Sequence, residues 1–495
     1  MIYFKNYNVG TLYDGSYKVN KTRYDMVNKE DIAGLEVRHL AYSEDGQGND
    51  LILAKEYIHL KDGSTVPHLR FWKNYQRKFY VAKPGTRNYK EKKQWESKNN
   101  VIEFQTNQAN LSKAAHKAIH GFGNDRGLKE TFKSPYLYGC GVKPTVLLKH
   151  AYQKKYPDFV TPKARVMVYD IETDISKPGF EPIIATITMK EHVHCAIVRS
   201  FLGENESVDR ELILKACERH LSKYIKERNL NIEITFHDNA GDACNYIISK
   251  THEYYPDFLT AWNMEFDISK TELYLKKFGY DPAVTFSDPK VPPAFKHFKF
   301  KRGPSQKVTH DGGVMTRANY EQWHKVEAMC GYYIVDAMGV YYQLRFAAGK
   351  EEGYSLDAVL DRNLNLTKLK IKEVEGLVGP DWHKKMQREY KYDYVAYNIF
   401  DCIAVELLDE KTNDLATAFP LQCGVSDYED FASSPRQLAD DLHFVVEEDD
   451  HVVGVTLDEL SNENDTKVVG ARGWIAILAA HMCDADGVDV IDYMN

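Results

Sequence analysis

The sequence has no run of 18 apolar residues, which argues against a membrane-spanning helix. Its first ten residues, MIYFKNYNVG, lack the apolar core of a secretory leader. Cysteine is sparse: eight in 495 residues, with no CxxC pair. Neither a disulfide framework nor a zinc ribbon is expected, and the pattern fits a reducing cytoplasm. There is no internal repeat and no low-complexity tract. Nor is there an excess of positive charge. Lys and Arg number 64 and Asp and Glu 72, a net charge of −8 that at first sight argues against nucleic acid as a partner. What is there is ordinary for a soluble globular protein: 43% hydrophobic and 27% charged residues. The length suggests about three domains at roughly 150 residues each and can bury a sizeable core.

Composition divides the chain at about 1–160, 161–410 and 411–495. Within the first region, residues 69–95 carry nine Lys/Arg, one acid and seven aromatics. Such interleaving suits either a solvated sheet face or a nucleic-acid surface, where cations meet phosphates and rings stack on bases. Arg70, Lys73, Arg77 and Lys78 are the candidate contacts. In the third region, residues 427–465 hold thirteen acids against the single Arg436, a local charge of −12. Without it the rest of the chain sums to −8 + 12 = +4. The overall charge therefore does not exclude DNA.

The middle region reads as α/β. Short apolar runs at 165–171, 182–190, 194–201, 258–262 and 332–341 predict strands, the last running into a turn or helix. Residues 242–254, 267–277 and 392–410 have helical spacing. In the last of these, Val395, Ile399, Ile403 and Leu407 repeat every four residues. Strands gathered early, with helices between and after, suggest a layered α/β domain.

Several acids lie in apolar surroundings. Asp170 and Glu172 stand two apart at the end of the first strand, so both point to one face of the sheet. So close a pair repels unless a cation lies between them. Asp267 follows the run FLTAWN and could be a helix cap or a ligand. Asp401 sits inside YNIFDCIAV, where an unpaired carboxylate is costly to bury, and Tyr397 lies one helical turn before it. Together these acids suit hard divalent cations, and two ions about 4 Å apart can activate a water and stabilise the leaving oxygen of a phosphodiester. HVHC at 192–195 has only three ligand-type residues in a strand-like run and reads as structural.

Three of these segments resemble, in order, the exonuclease motifs of family-B DNA polymerases: DIET at 170–173, WNMEFD at 262–267 and YNIFD at 397–401. The surrounding segments YPDFLTAWN (255–263), YIVDAMGVY (333–341) and YSLDAV (354–359) are similar too, most of all to polymerases of large tailed phages of the T-even type. The resemblance covers about residues 140–410. It implies a ribonuclease H-like exonuclease domain over 161–410, a mixed α+β N-terminal domain before it and a partial palm segment after it. The implied activity is 3′→5′ proofreading, the two-metal hydrolysis of 3′-terminal phosphodiesters in single-stranded or frayed DNA. The implied cofactor is a pair of Mg²⁺ ions, with Mn²⁺ able to substitute. Asp170, Glu172 and Asp401 would hold the metals, Asp267 would support the second, and Tyr397 would position the attacking water. Asn263 and Phe266 would contact the terminal nucleotide. The second motif departs from the T-even pattern: three residues separate Asn263 from Asp267 instead of four.

Residues 292–313 alternate Phe298 and Phe300 with Lys299 and Lys301 before Arg302, which predicts a basic β-hairpin. In T-even-type relatives a hairpin in this interval helps separate primer from template. Segments of the DxxSLYP, YxDTD and KxxxNxxYG kinds, which carry the polymerase site and the fingers, are not found. VVGARGW at 468–474 resembles the stretch that precedes the first palm motif. The resemblance then implies a split polymerase, in which a second polypeptide supplies palm, fingers and thumb and residues 474–482 pack against it. A free-standing 3′→5′ exonuclease and a non-catalytic DNA-binding scaffold are the alternatives.

Overall fold

A computed structural model describes residues 28–454, apart from 92, 122–126, 160–163, 204, 310–311 and 418–433. The chain divides into two compact units, residues 1–160 with 420–495 and residues 161–419.

The second unit is an α/β domain. Its six-stranded sheet uses β1 (Val166–Asp174), β2 (Glu181–Met189), β3 (His192–Val198), β4 (Asn231–His237), β5 (Phe258–Ala261) and β6 (Tyr333–Asp336) in the order β4-β3-β2-β1-β5-β6. β1, β2 and β3 form an antiparallel meander. β5 lies parallel to β1, and β6 parallel to β5. The strands are apolar on both sides, as strands covered on both faces must be. Val168 faces a core built with Ile213, Cys217 and Leu221 of α1 (Glu206–Arg228), Tyr341 of α4 (Ala337–Arg345) and Val395, Ile399 and Ile403 of α5 (Lys391–Thr412). Met167, Tyr169 and Ile171 face a second core with Cys244, Ile247 and Ile248 of α2 (Ala240–Tyr254) and Met264, Ile268 and Leu275 of α3 (Met264–Lys277). Each such side chain contributes roughly 1.5–3 kcal/mol when fully buried. Period two therefore sends Asp170 and Glu172 toward α5, the side of Val168.

In the first unit, Ile32–Glu44, Asp50–Leu60 and Thr65–Lys73 form an antiparallel sheet. Arg77–Ala82 pairs with Val101–Thr106 and Leu137–Tyr138. The acidic stretch does not stand apart as a third region where it is described. Ser434–Glu448 is a helix whose Phe444 packs with Val142 and Val146, and His451–Val453 pairs with Trp95–Ser97. The rest of 427–465, the palm-like stretch 468–474 and residues 474–482 lie outside the described residues.

The basic hairpin is placed differently from the expectation. Phe298–Lys301 pairs with Lys325–Ala328, and the hairpin nearby joins Gln306–Val308 to Val314–Thr316. Phe298 stacks on buried Phe286, with ring centroids 4.4 Å apart, and needs an apolar partner strand. Val326 and Ala328 supply one, whereas RGPSQK at 302–307 has none and Pro304 donates no backbone hydrogen bond. No helix among the described residues is long and apolar enough to cross a membrane.

Candidate metal centre

Asp170, Glu172 and Asp401 each place a ligand-type oxygen within 4.8 Å of the others. Two come from the central strand and one from α5, 231 residues on (401 − 170). All three are largely buried, and burial pushes each carboxyl above the usual range. For Asp170 the charges of Asp267, Glu172 and Asp401 add to it. Glu172 rises to about 7, with Tyr394 opposing the shift. Asp401 is raised by burial against the charge of Lys368. Asp401 Oδ1 is buried with no hydrogen-bond partner among the described residues. Three hard oxygen donors that repel one another, one with an orphaned oxygen, fit a divalent cation.

Asp267 is also buried but stands outside this trio. β5 pairs with β1 only as far as Val168. Beyond it, the Ile171 N–H donates to the Asp267 carboxylate, which thus takes the place of a neighbouring strand. Asp267 is the fourth residue of α3, and Asn263 caps that helix at its N-terminus without a side-chain capping bond. Asn263 Oδ1 is buried and has no partner among the described residues. Phe266 is half-buried against the second core.

Tyr397 is held by Lys368, whose Nζ donates to the Tyr397 hydroxyl (2.9 Å) and to Asp401 Oδ2 (2.5 Å). The Lys368 N–H donates to Asp357 (2.7 Å), which fixes the loop. The Trp382 ring lies 4.8 Å from that of Tyr397. Lys368 and Asp336 were not foreseen from the sequence, nor were Tyr394 and Asn398, which bond the two strand carboxylates. Tyr394, Tyr397, Asn398 and Asp401 follow the i, i+3, i+4, i+7 stripe of one helix face, a signal the sequence did contain. Lys368, in the irregular KLKIK segment, carried none. Asp336 ends β6, caps the next helix through Met338 and Gly339 N–H, and is pushed up to about 7 by burial.

The expected DNA-contacting residues are placed unevenly. Lys73, Lys78 and Lys299 are exposed, Lys78 beside Glu103 (3.0 Å) and Lys299 opposite Glu327 in the strand register. Lys301 pairs with Glu327, and Arg302 donates to Glu265 (2.8 Å) and Ser269 (2.7 Å). Arg70 and Arg77, expected at the surface, are instead buried. Arg70 pairs with buried Glu56 (2.6 Å), and Arg77 donates to the carbonyls of Val142 (2.8 Å) and Gly139 (2.7 Å). Arg77 is the inward neighbour of exposed Lys78, whereas Arg70 lies where its strand is buried on both faces. Beside α3, Lys270 Nζ lies 5.2 Å from the ring centroid of Phe180 and 5.9 Å from that of Phe266. Phe180 is exposed with φ 54°, a strained conformation for a bulky residue.

Neither protein-family models nor curated proteins match this sequence.

Proposed function

We propose that the second unit is a metal-dependent 3′→5′ DNA exonuclease that proofreads for a DNA polymerase of family-B type. The observation that carries this reading is the convergence of Asp170, Glu172 and Asp401 within 4.8 Å, each from a segment that resembles an exonuclease motif. The strand order supports a ribonuclease H-like fold: a three-stranded meander whose first strand is flanked on its other side by two parallel strands.

Asp170, Glu172 and Asp401 would hold the metal, with Asp267 behind them. When bound, the divalent cations would supply water activation and stabilisation of the leaving oxygen. The chain's own groups do the rest. Lys368 fixes the Tyr397 hydroxyl, which can accept from or donate to a water beside the scissile phosphate. The ammonium itself offers positive charge to that phosphate. Asn263 Oδ1 can accept from a terminal hydroxyl. Phe180, Phe266 and Lys270 combine rings with a cation, which suits a single strand with its bases splayed.

The test is release of mononucleotides from 3′-labelled single strands with Mg²⁺ or Mn²⁺. Asp170→Ala with Glu172→Ala is expected to abolish release while leaving DNA binding. A double variant that degrades DNA as fast as wild type sinks the site assignment. Lys368→Met is expected to slow release about 10²-fold, the effect of removing one preorganised electrostatic donor. Single-turnover kinetics will read it, with little change in DNA affinity.

A further inference from the structure

We infer that Tyr394 and Asn398 are positioning residues for the two strand carboxylates, each occupying one oxygen so that the other is presented to the metal. The inference rests on the hydrolytic reading above. Tyr394 donates its hydroxyl to Glu172 Oε2, and Asn398 Nδ2 donates to Asp170 Oδ2 at 2.6 Å. Both donors are fully buried.

The match comes from two repeats. Residues two apart on a strand are separated by about 6.7 Å, and residues four apart on a helix by about 6 Å along its axis. Asn398 serves the earlier acid and Tyr394 the later one, so α5 crosses with its direction opposed to β1. One helical turn thus delivers a donor to each of two neighbouring same-face carboxylates. The phenol is itself fixed. His383 Nδ1 lies 2.8 Å from its oxygen and Gln387 Nε2 3.3 Å. The same Gln387 amide donates to Thr173 O (2.8 Å) and accepts from Ile175 N–H (3.4 Å), tying it to the strand just past Glu172.

Both donors are neutral, unlike Lys368 at Asp401. They set the rotamers of Asp170 and Glu172 without cancelling the charge that a cation needs. Asn398 Oδ1 is buried with no partner among the described residues. An asparagine serving only to pack would not carry an orphaned acceptor, whereas one committed to Asp170 through its amide N–H has that oxygen left over.

The experiment uses the full chain. Mn²⁺ binding to wild type, Tyr394→Phe and Asn398→Ala is measured by titration calorimetry, alongside mononucleotide release. Removing partners that orient metal ligands typically weakens metal binding about 10- to 100-fold. That loss is expected for both variants, with the same rise in the Mn²⁺ concentration for half-maximal rate and an unchanged KM for the oligonucleotide. Circular dichroism melting checks the fold. If Tyr394→Phe does not fold, Asn398→Ala decides in the same way. A folded variant that binds Mn²⁺ like wild type overturns the positioning role and leaves the hydrolytic reading standing. A wild type that neither binds Mn²⁺ nor releases mononucleotides overturns that reading instead.

Discussion

Asp170→Asn combined with Glu172→Gln is expected to cut Mg²⁺-dependent mononucleotide release by at least about 10³-fold and to raise the melting temperature in EDTA. The first effect follows from charge. A divalent ion contributes several kcal/mol of transition-state stabilisation, and each 1.4 kcal/mol is tenfold in rate. Two of the three converging carboxylates become neutral amides with no anionic oxygen to hold it. The second effect follows from the cost of the site in its empty state. Asp170 and Glu172 are buried against each other, Asp401 and Asp267, and their charged forms are disfavoured. The amide variants keep the shape and leave a carbonyl oxygen to accept from Asn398 and Tyr394, so the repulsion goes while both of those bonds stay. Anisotropy with a labelled single strand in EDTA checks that binding persists. A variant that melts lower than wild type in EDTA contradicts the stored repulsion, and one that keeps its rate contradicts the metal site.

Much of the second unit was legible because its strands and helices have different periods. The run at 165–171 overlaps Val166–Asp174 in all but its first residue, and the four-residue repeat from Val395 to Leu407 falls within Lys391–Thr412. The acids stood out for the same reason, since Asp401 interrupts a stretch that is otherwise core. Lys368 was not legible because its role depends on a loop folding back on α5. No periodicity marks a residue whose partners, Tyr397 and Asp401, lie 29 and 33 positions away. The basic stretch at 69–95 misled for a related reason. Charge counting is blind to strand alternation, which turns Arg77 inward beside exposed Lys78, and to a strand covered on both faces, which buries Arg70. Pairing of Phe298–Lys301 with Lys325–Ala328 was likewise a non-local choice, decided by Phe286 and Val326 rather than by the adjacent sequence.

The pH dependence of stability separates the site from the rest of the chain. Glu172 has its carboxyl raised from 4.5 to about 7 by burial, and burial with the neighbouring acids raises Asp170 as well. A group with a raised folded pKa binds more protons when folded than when unfolded. Its stabilisation is therefore full below the unfolded value and is lost as pH rises through the folded one. In EDTA the loss from Glu172 runs from about pH 4.5 to beyond 7 and is on the order of 3 kcal/mol. The whole melting curve does not isolate it. Buried His194 and His252 and half-buried His237 are lowered by burial and act with the opposite sign as pH falls below the usual histidine value. Glu406, far along α5, is raised to about 7 and adds to the loss wherever the metal is. The difference between wild type and the Asp170→Asn, Glu172→Gln variant removes these shared contributions. That difference is expected to be small at pH 4.5 and to widen toward pH 8, with wild type roughly 10 °C lower at about 2–4 °C per kcal/mol for a unit of this size. Saturating Mg²⁺ is expected to reverse it, because the ion binds the charged carboxylates of wild type and finds none in the variant. A difference that stays flat with pH, or that Mg²⁺ leaves unchanged, means that these carboxylates do not form a metal site whose charge is held in check by burial.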